Sequence, residues 1–209
     1  EEILKKTGSL GIVKTSDTHI QVVYGPKVEK IADAVRAALN DKDCAAEVEK
    51  VQEEKPKSTV IISSPITGLS EDLSKAPDEA FANKLMGDGA VVTPKEGTVV
   101  APDDGTVLFV FDKKHAIGFA TDSGVSMIIH VGIDTVKLDG KGFDVKVETG
   151  AHVNKGDVLM QLDLDFLREN APSIASPVIC TELKENQSIR LINEGEIKAG
   201  EPLFAVDTY

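Results

Sequence analysis

The sequence predicts a mainly β protein, in which an antiparallel β-sandwich follows a short α/β segment. From residue 59 onward, short runs of β-branched and other apolar residues alternate with turns that contain glycine, which is typical of a sandwich or barrel. Before that point, two short apolar runs are followed by apolar residues at helical spacing. The charge divides in the same place: residues 1–57 carry 10 basic and 11 acidic side chains, whereas residues 58–209 carry 13 and 24. We therefore expect two structurally different parts.

The first part has the pattern of two strands and a helix. Residues 11–13 and 20–24 predict short strands on either side of a polar turn, and the apolar spacing over residues 28–39 predicts a helix that ends near Asn40. A ββα unit of this size is too small to bury a good core, so residues 1–40 are expected to be part of a larger domain. Residues 41–58 are rich in Glu and Lys and predict a charged linker.

Residues 59–209 predict the sandwich, interrupted by two short helices. One helix is expected near residues 78–86, where Pro77-Asp78 begins it and Gly87 stops it. The other is expected over residues 165–170, ending before Pro172.

The composition excludes several classes of protein. A formal net charge of −12 disfavours a broad nucleic-acid surface, because phosphate backbones are bound by Lys and Arg. No run of 18 apolar residues is present to predict a membrane helix, and the first residues do not form a signal peptide. Cys44 and Cys180 do not have the spacing of a disulfide framework or a CxxC motif, so we expect reduced thiols and a cytoplasmic location.

Two of the four histidines, His115 and His130, form the candidate site. They flank the turn signal Asp122-Ser123-Gly124, and a hairpin with a two- or four-residue loop would place them directly opposite, with Cβ atoms about 4.5–5.5 Å apart. A three-residue loop would shift the register by one and separate them, unless a bulge restored it. Two adjacent neutral imidazoles suit either a metal or a transferable phosphoryl group. His19 and His152 are expected at the surface without a role.

Two alternatives rest on local motifs. Asp134, four residues after His130, could supply a third zinc ligand, as in the His-xxx-Asp element of zinc peptidases of the lysostaphin type, but their His-x-His pair is missing. Residues 150–159 resemble the hinge strand of lipoyl or biotinyl carriers, but the attachment motif, a lysine in a tight hairpin flanked by hydrophobic residues, is missing.

Residues 59–209 resemble the IIA domain of the glucose family of the bacterial sugar phosphotransferase system. The most specific match is the run His130-Val131-Gly132-Ile133-Asp134-Thr135-Val136, followed by Gly140-Lys141-Gly142-Phe143. Further matching stretches are residues 64–68, 77–82, 86–89, 100–106, 115–116 and 122–125.

This resemblance implies an antiparallel β-sandwich in which His130 is the phosphorylated nucleophile, acting through Nε2, and His115 stabilises the phosphoryl group. It implies that Asp134 and Asp78 face an Arg-bearing donor, the protein HPr. The family's apolar interaction patch would correspond to Phe81, Leu85, Met86, Ile128 and Val136, with at least Phe81 and Val136 partly exposed. Family members often have Thr-Asn before the first histidine, where this chain has Lys113-Lys114.

Residues 1–40 resemble the C-terminal half of the IIB domain of the same family. The phosphocysteine motif of IIB, Cys-x-Thr-Arg-Leu-Arg, is absent, and Cys44 does not match it. The resemblance thus implies a piece of a fused IICBA transporter, at the cytoplasmic face of the membrane, whose IIA domain passes phosphate from phospho-HPr to a IIB cysteine.

No cofactor is required by that function, because the phosphoryl group arrives already activated. The hypothesis from another class is a regulatory protein-binding module, in which zinc bridges His115, His130 and a partner carboxylate. The sugar stays open among glucose, N-acetylglucosamine, β-glucosides, sucrose and trehalose, with residues 162–167 leaning slightly towards N-acetylglucosamine.

Overall fold

The computed structural model describes residues 11–14, 20–23 and 55–209, and the chain divides into two compact units, Glu1–Glu53 and Glu54–Tyr209. In the first unit, β1 (Gly11–Lys14) pairs antiparallel with β2 (Ile20–Val23), where both strands were predicted. The predicted helix over residues 28–39, most of the predicted linker, His19 and Cys44 lie outside the described residues.

The regular secondary structure of the second unit consists mainly of strands, which confirms the predicted mainly β class. They are β3 (Ser58–Ser63), β4 (Ile66–Asp72), β5 (Asp88–Val100), β6 (Gly105–Val110), β7 (Ala116–Thr121), β8 (Ser126–His130), β9 (Phe143–Val145), β10 (His152–Val153), β11 (Val158–Leu162), β12 (Ser176–Cys180), β13 (Gln187–Leu191), β14 (Gly195–Ile197) and β15 (Pro202–Thr208).

Two short helices interrupt these strands close to the predicted positions. They are α1 (Glu79–Ala82) and α2 (Leu164–Asn170). Single 3-10 turns cover Leu73–Lys75 and Thr135–Leu138. Both α-helices are short, and each begins after a capping Asp and lies in a connection between two strands.

The strands of the second unit form two antiparallel sheets that share one core. Ten strands form the larger sheet, with the path β10-β6-β7-β8-β12-β5-β11-β9, with β4 attached at β5 and with β14 attached at β4. The smaller sheet has the order β13-β15-β3. Fully buried side chains from both sheets, such as Ile62 and Phe204 of the smaller one and Val92, Phe119 and Met127 of the larger one, lie in the same cluster. The predicted sandwich is confirmed, and its large sheet is curled.

Strand β8 directs alternate side chains to the two faces of the large sheet. Met127 and Ile129 are buried in the main core, whereas Ile128 and His130 point to the opposite face and are half-buried. A second, smaller cluster of buried residues lies on that opposite face, and Phe81 of α1 and Ile128 pack against it. This outer cluster comprises Leu73, Ala76, Val91, Ala175 and Ile179. The strand alternation therefore brings His130 to a partly covered outer surface.

Candidate functional site

The hairpin that carries the two histidines has a three-residue loop. Ala116 lies opposite His130 and Ala120 opposite Ser126, and the Thr121 N–H donates to the carbonyl of Val125 over 3.0 Å. The two- or four-residue loop on which the direct opposition of His115 and His130 depended is therefore absent, and the register is shifted by one residue, as expected for a three-residue loop. Gly124 has a φ of +87°, which closes the loop in this longer form. His115 instead lies opposite Val131, and the N–H of Val131 donates to the carbonyl of His115 over 2.8 Å.

The two imidazoles are nevertheless adjacent. Their ring centroids are 5.0 Å apart and the rings meet edge to face at 76°. His115 precedes the first residue of β7 and follows Lys114, which has a left-handed φ of +59°. Since strict alternation of side chains holds only inside a regular strand, the residue at this irregular end can turn its ring towards His130. The two histidines meet because they lie at neighbouring ends of β7 and β8, and not because they are directly opposed in the pairing of these strands.

Burial keeps both imidazoles neutral. Only 6% of His115 is exposed, and His130 is half-buried. The pKa of His130 is lowered to about 4, mainly by burial and also by the nearby His115, while the backbone of Gly132 and the carboxylate of Asp78 oppose the shift. Burial also lowers the pKa of His115. The Nδ1 atoms of both rings are buried, and neither makes a hydrogen bond to a described residue.

A phenylalanine flanks each imidazole. The ring centroid of Phe81 lies 5.2 Å from that of His130, and the centroid of Phe111 lies 5.2 Å from that of His115. Sequence reasoning missed Phe111, although a signal was available. Val110 lies opposite Ile117 in the β6–β7 hairpin, and the Phe111 N–H donates to the carbonyl of Ala116 over 3.1 Å. Counting across this second turn, as was done for the first, would have placed Phe111 beside the start of β7.

The five residues of the expected apolar patch lie on or next to the elements that carry His130. Leu85 and Met86 follow α1 and are 76% and 51% exposed, and Val136, in the 3-10 turn after His130, is 44% exposed. Phe81 and Ile128 are half-buried against the outer cluster. Phe81 and Val136 are thus both accessible, as expected, and apolar surface of this kind around a site is typical of an interaction surface.

The two acidic residues differ in their surroundings. The carboxylate of Asp78 caps α1, accepting from the N–H groups of Ala80 at 2.9 Å and Phe81 at 3.2 Å. Asp134 is exposed, has a φ of +60°, and pairs with Lys137 over a distance of 2.6 Å between Oδ2 and Nζ. Each carboxylate is therefore held by a contact within the chain, and neither hydrogen-bonds an imidazole.

The lysine pair that precedes His115 is exposed. The Nζ atom of Lys113 lies 2.6 Å from a carboxylate oxygen of Asp139, which follows the 3-10 turn after His130. This ion pair connects the turn before His115 to the segment after His130. Both partners are largely exposed, so it contributes little to the free energy of folding.

The histidine pair can supply two metal ligands. Among the described residues, no three His, Cys, Asp or Glu side chains are grouped to hold a metal ion. The carboxylate of Asp134, the third ligand in the zinc-peptidase interpretation, faces Lys137. A zinc ion at this pair would therefore need a further ligand from elsewhere.

The family model for the phosphoenolpyruvate-dependent sugar phosphotransferase system, EIIA 1, matches residues 60–186. The chain belongs to this EIIA family. The match begins in β3 and runs beyond β12, so it covers both histidines, α1 and the outer cluster.

Known proteins place this EIIA domain among transporter components. The chain is 36% identical over 211 residues to the glucose-specific EIICBA component of Staphylococcus carnosus, covering 97% of this chain and 31% of that protein. It is 38% identical over 220 residues to the N-acetylglucosamine-specific EIICBA component of Escherichia coli, covering 99% of this chain and 34% of that protein. The chain thus spans about a third of the length of these relatives.

A solved structure has the same fold. The glucose permease IIA of Mycoplasma capricolum superimposes with a TM-score of 0.67 at 35% sequence identity, covering 71% of this chain and 96% of that one. In the part of the chain that the structure describes, no helix is long and apolar enough to cross a membrane.

Proposed function

We propose that this EIIA domain carries phosphoryl groups in a sugar-uptake system, accepting them on His130 from phospho-HPr and passing them to a IIB cysteine. The observation that carries the proposal is the pair of imidazoles with ring centroids 5.0 Å apart, of which His115 is buried and His130 is half-buried with a pKa lowered to about 4. An imidazole that stays neutral at pH 7 keeps the lone pair that a nucleophile needs. No cofactor is needed, because the phosphoryl group arrives bound to a nitrogen that leaves readily.

The transfer step exchanges one nitrogen–phosphorus bond for another. The Nε2 atom of His130 attacks phosphorus, which requires the tautomer with its proton on Nδ1, and the bond to the donor histidine breaks with its electron pair returning to the donor ring. In the onward step a cysteine thiolate of IIB attacks phosphorus, a sulfur–phosphorus bond forms, and the bond to Nε2 breaks with its electron pair returning to the ring of His130.

His115 acts as a hydrogen-bond donor in this proposal. A neutral imidazole carries one ring N–H, and the edge-to-face packing, with ring centroids 5.0 Å apart, supports a contact between this N–H and phosphoryl oxygens on His130. A donor held in place before the reaction stabilises the negative charge that arrives with the group. The low exposure of His115 strengthens that interaction, because water competes for it less.

The docking surface surrounds the histidines. The exposed apolar residues Leu85, Met86 and Val136 offer contact area, and the carboxylates of Asp78 and Asp134 offer negative charge at its rim. We infer that basic residues of HPr meet these acids, and that the IIB domain uses an overlapping part of the same surface.

The domain organisation proposed for the chain has three segments. Residues 1–40 are taken as the C-terminal part of a IIB domain, residues 41–58 as a linker, and residues 59–209 as IIA. The support is that the alignments to the two EIICBA components extend over 97% and 99% of this chain, well beyond the residues matched by the EIIA model. We further propose that the chain works at the cytoplasmic face of the membrane, joined to a IIC domain that selects the sugar.

The test is the intact mass of the chain after incubation with phospho-HPr. The wild type should gain one phosphoryl group, and His130→Ala should gain none. His115→Gln should accept the group and transfer it poorly to IIB, because the stabilising ring is lost. His152→Ala is the matched control, since its exposed imidazole pairs with Asp122 and contacts neither site histidine. A phosphorylated His130→Ala protein would refute the nucleophile assignment.

A second candidate function is supported by the two adjacent imidazoles, which can supply two zinc ligands. An unphosphorylated domain could bind a regulatory partner through zinc held by His115, His130 and a carboxylate of that partner. Isothermal titration with zinc should give weak binding by the domain alone, and His130→Ala should abolish it.

A further inference from the structure

The four rings at the site form a continuous row in the order Phe81, His130, His115 and Phe111. Successive centroids are 5.2, 5.0 and 5.2 Å apart, and the interplanar angles are 57°, 76° and 51°. Tilted and edge-to-face arrangements at these distances are the favourable geometries for aromatic pairs. Each imidazole therefore packs on the other imidazole on one side and on a phenylalanine on the other side.

We propose that Phe81 and Phe111 form an aromatic bracket, in which Phe111 positions His115, Phe81 positions His130, and the two rings together limit the access of water to phosphorylated His130. The bracket would then set the lifetime of the phosphorylated domain. This inference rests on the proposed phosphoryl-carrier function, and it assigns to Phe111 a role that goes beyond docking.

The burial of His115 points to Phe111 as its cover. The three preceding residues of the turn, Asp112, Lys113 and Lys114, are all exposed, whereas only 6% of His115 is accessible. The ring centroid of Phe111 lies 5.2 Å from that of His115, and Phe111 is 39% exposed, so its ring covers one side of this buried imidazole.

The ring of Phe81 has the same relation to His130 and is held firmly. Its backbone N–H donates to the capping carboxylate of Asp78, and its side chain packs against the outer cluster of Leu73, Ala76, Val91, Ala175 and Ile179. Phe81 therefore covers His130 from an element that is independent of the β7–β8 hairpin.

Phe111 is also fixed from two directions. Its N–H donates to the carbonyl of Ala116, and its own carbonyl accepts from the Lys114 N–H at 2.7 Å. Its ring meets that of Phe109 edge to face, with centroids 5.2 Å apart. Phe109 lies over Gly118, where a Cβ atom would come within 2.4 Å of the Phe109 ring. The bracket is thus supported by β6 and by a glycine on β7.

Water is the competing acceptor for a phosphohistidine. In hydrolysis the water oxygen bonds to phosphorus, the bond from phosphorus to Nε2 breaks and its electron pair returns to the ring. One water proton stays on the phosphate and the other reaches the imidazole. Excluding water from a reactive intermediate suppresses this side reaction while a docked partner can still reach the group.

The experiment compares Phe111→Leu with Phe109→Leu in the full chain. Both phenylalanines are 39% exposed and touch each other, but only Phe111 contacts a histidine. Each protein is phosphorylated by phospho-HPr and separated from it, and the loss of phosphate is followed without any acceptor. Phe111→Leu should lose phosphate several-fold faster than the wild type, whereas Phe109→Leu, which removes only a ring that supports Phe111, should accelerate the loss less.

A second readout needs no phosphate. The pKa of His115, measured by NMR on the unphosphorylated proteins, should rise towards its ordinary value in Phe111→Leu and change less in Phe109→Leu. Thermal unfolding establishes that each variant is folded. A folded Phe111→Leu protein with the wild-type phosphate lifetime and the wild-type pKa of His115 would overturn the bracket, and so would equal acceleration in Phe109→Leu. If the wild type takes up no phosphate, the proposed function fails, and the pKa comparison still decides whether Phe111 positions His115.

Discussion

His130 combines a reactive ring with an environment that disfavours its charged form. Its pKa is lowered to about 4 mainly by burial, with a further contribution from His115. Perturbed titratable groups beside an accessible surface are characteristic of functional sites, although structural groups show such shifts as well. In the proposed function the shift serves the chemistry, because protonation would remove the lone pair with which His130 attacks phosphorus.

The first prediction concerns the stability of the chain at low pH. The pKa of His130 in the folded chain lies below the ordinary value of 6.5, so the unfolded chain binds the proton first as the pH falls. The stabilisation is therefore complete above about pH 6.5 and is lost progressively between pH 6.5 and about pH 4. In urea unfolding at pH 7 and pH 5, His130→Gln should lose less stability between the two conditions than the wild type does.

The matched control for this comparison is His152→Gln, which removes an exposed imidazole outside the site. It should keep the wild-type difference between pH 7 and pH 5. An unchanged pH dependence in His130→Gln would show that His130 is not held neutral by the fold.

At the scale of single elements, Asp78 has two effects. Its carboxylate caps the first turn of α1, and its negative charge favours the protonated form of His130. Because α1 spans only Glu79–Ala82, it has few hydrogen bonds of its own and relies on this cap and on the packing of Phe81.

Substitutions at Asp78 should separate the two effects. Asp78→Asn keeps a capping oxygen and removes the charge, so we expect nearly wild-type thermal stability together with weaker binding of the phosphoryl donor. Asp78→Ala removes both and should in addition cost about 1 kcal/mol of stability. Thermal unfolding and donor titration measure the two effects independently, and equal stability of the Ala and wild-type proteins would contradict the cap.

The 3-10 turn Thr135–Leu138 carries a local restraint on docking. Its residue Lys137 pairs with Asp134, an acid that we propose for contact with HPr. A basic residue of the donor must compete with Lys137 for this carboxylate. Lys137→Ala should therefore strengthen donor binding, by at most a few-fold, because exposed ion pairs contribute about 0.2–1 kcal/mol.

Lys146→Ala serves as the control for that experiment. Lys146 forms an ion pair of similar length with Asp144, away from the histidines in sequence, and has a comparable charge effect on the whole protein. Donor binding that strengthens equally in both variants would assign the effect to net charge and not to the release of Asp134.

For the whole molecule, the second unit has its own core. The main cluster joins both sheets of Glu54–Tyr209 and contains the largest fully buried side chains of the described residues, such as Phe119 and Phe204. A unit with a complete core folds by itself.

Residues 54–209, expressed alone, should therefore have the same thermal unfolding midpoint as the full chain and should be phosphorylated by phospho-HPr at the same rate. A control with His130→Ala in the shortened protein should stay unphosphorylated. A markedly lower unfolding midpoint would show that residues 1–53 contribute to the stability of the sandwich.

Much of this molecule could be predicted from the sequence because the signals are local. Alternating apolar residues and turn glycines determined the mainly β class, Asp78 and Pro172 marked the two helices, and the run from His130 to Val136 identified the family. These features depend on a few neighbouring residues, whose preferences survive folding.

The tertiary structure alone decided how the site is assembled. The register of the β7–β8 hairpin depends on a loop that the sequence allows in several lengths, and the observed three-residue form moved His115 out of direct opposition to His130. The left-handed conformation of Lys114 and the ladder position of Phe111 then brought the rings together. These contacts join residues on different elements, so backbone geometry and packing determine them, and only the place of Phe111 beside the start of β7 could have been counted from the sequence.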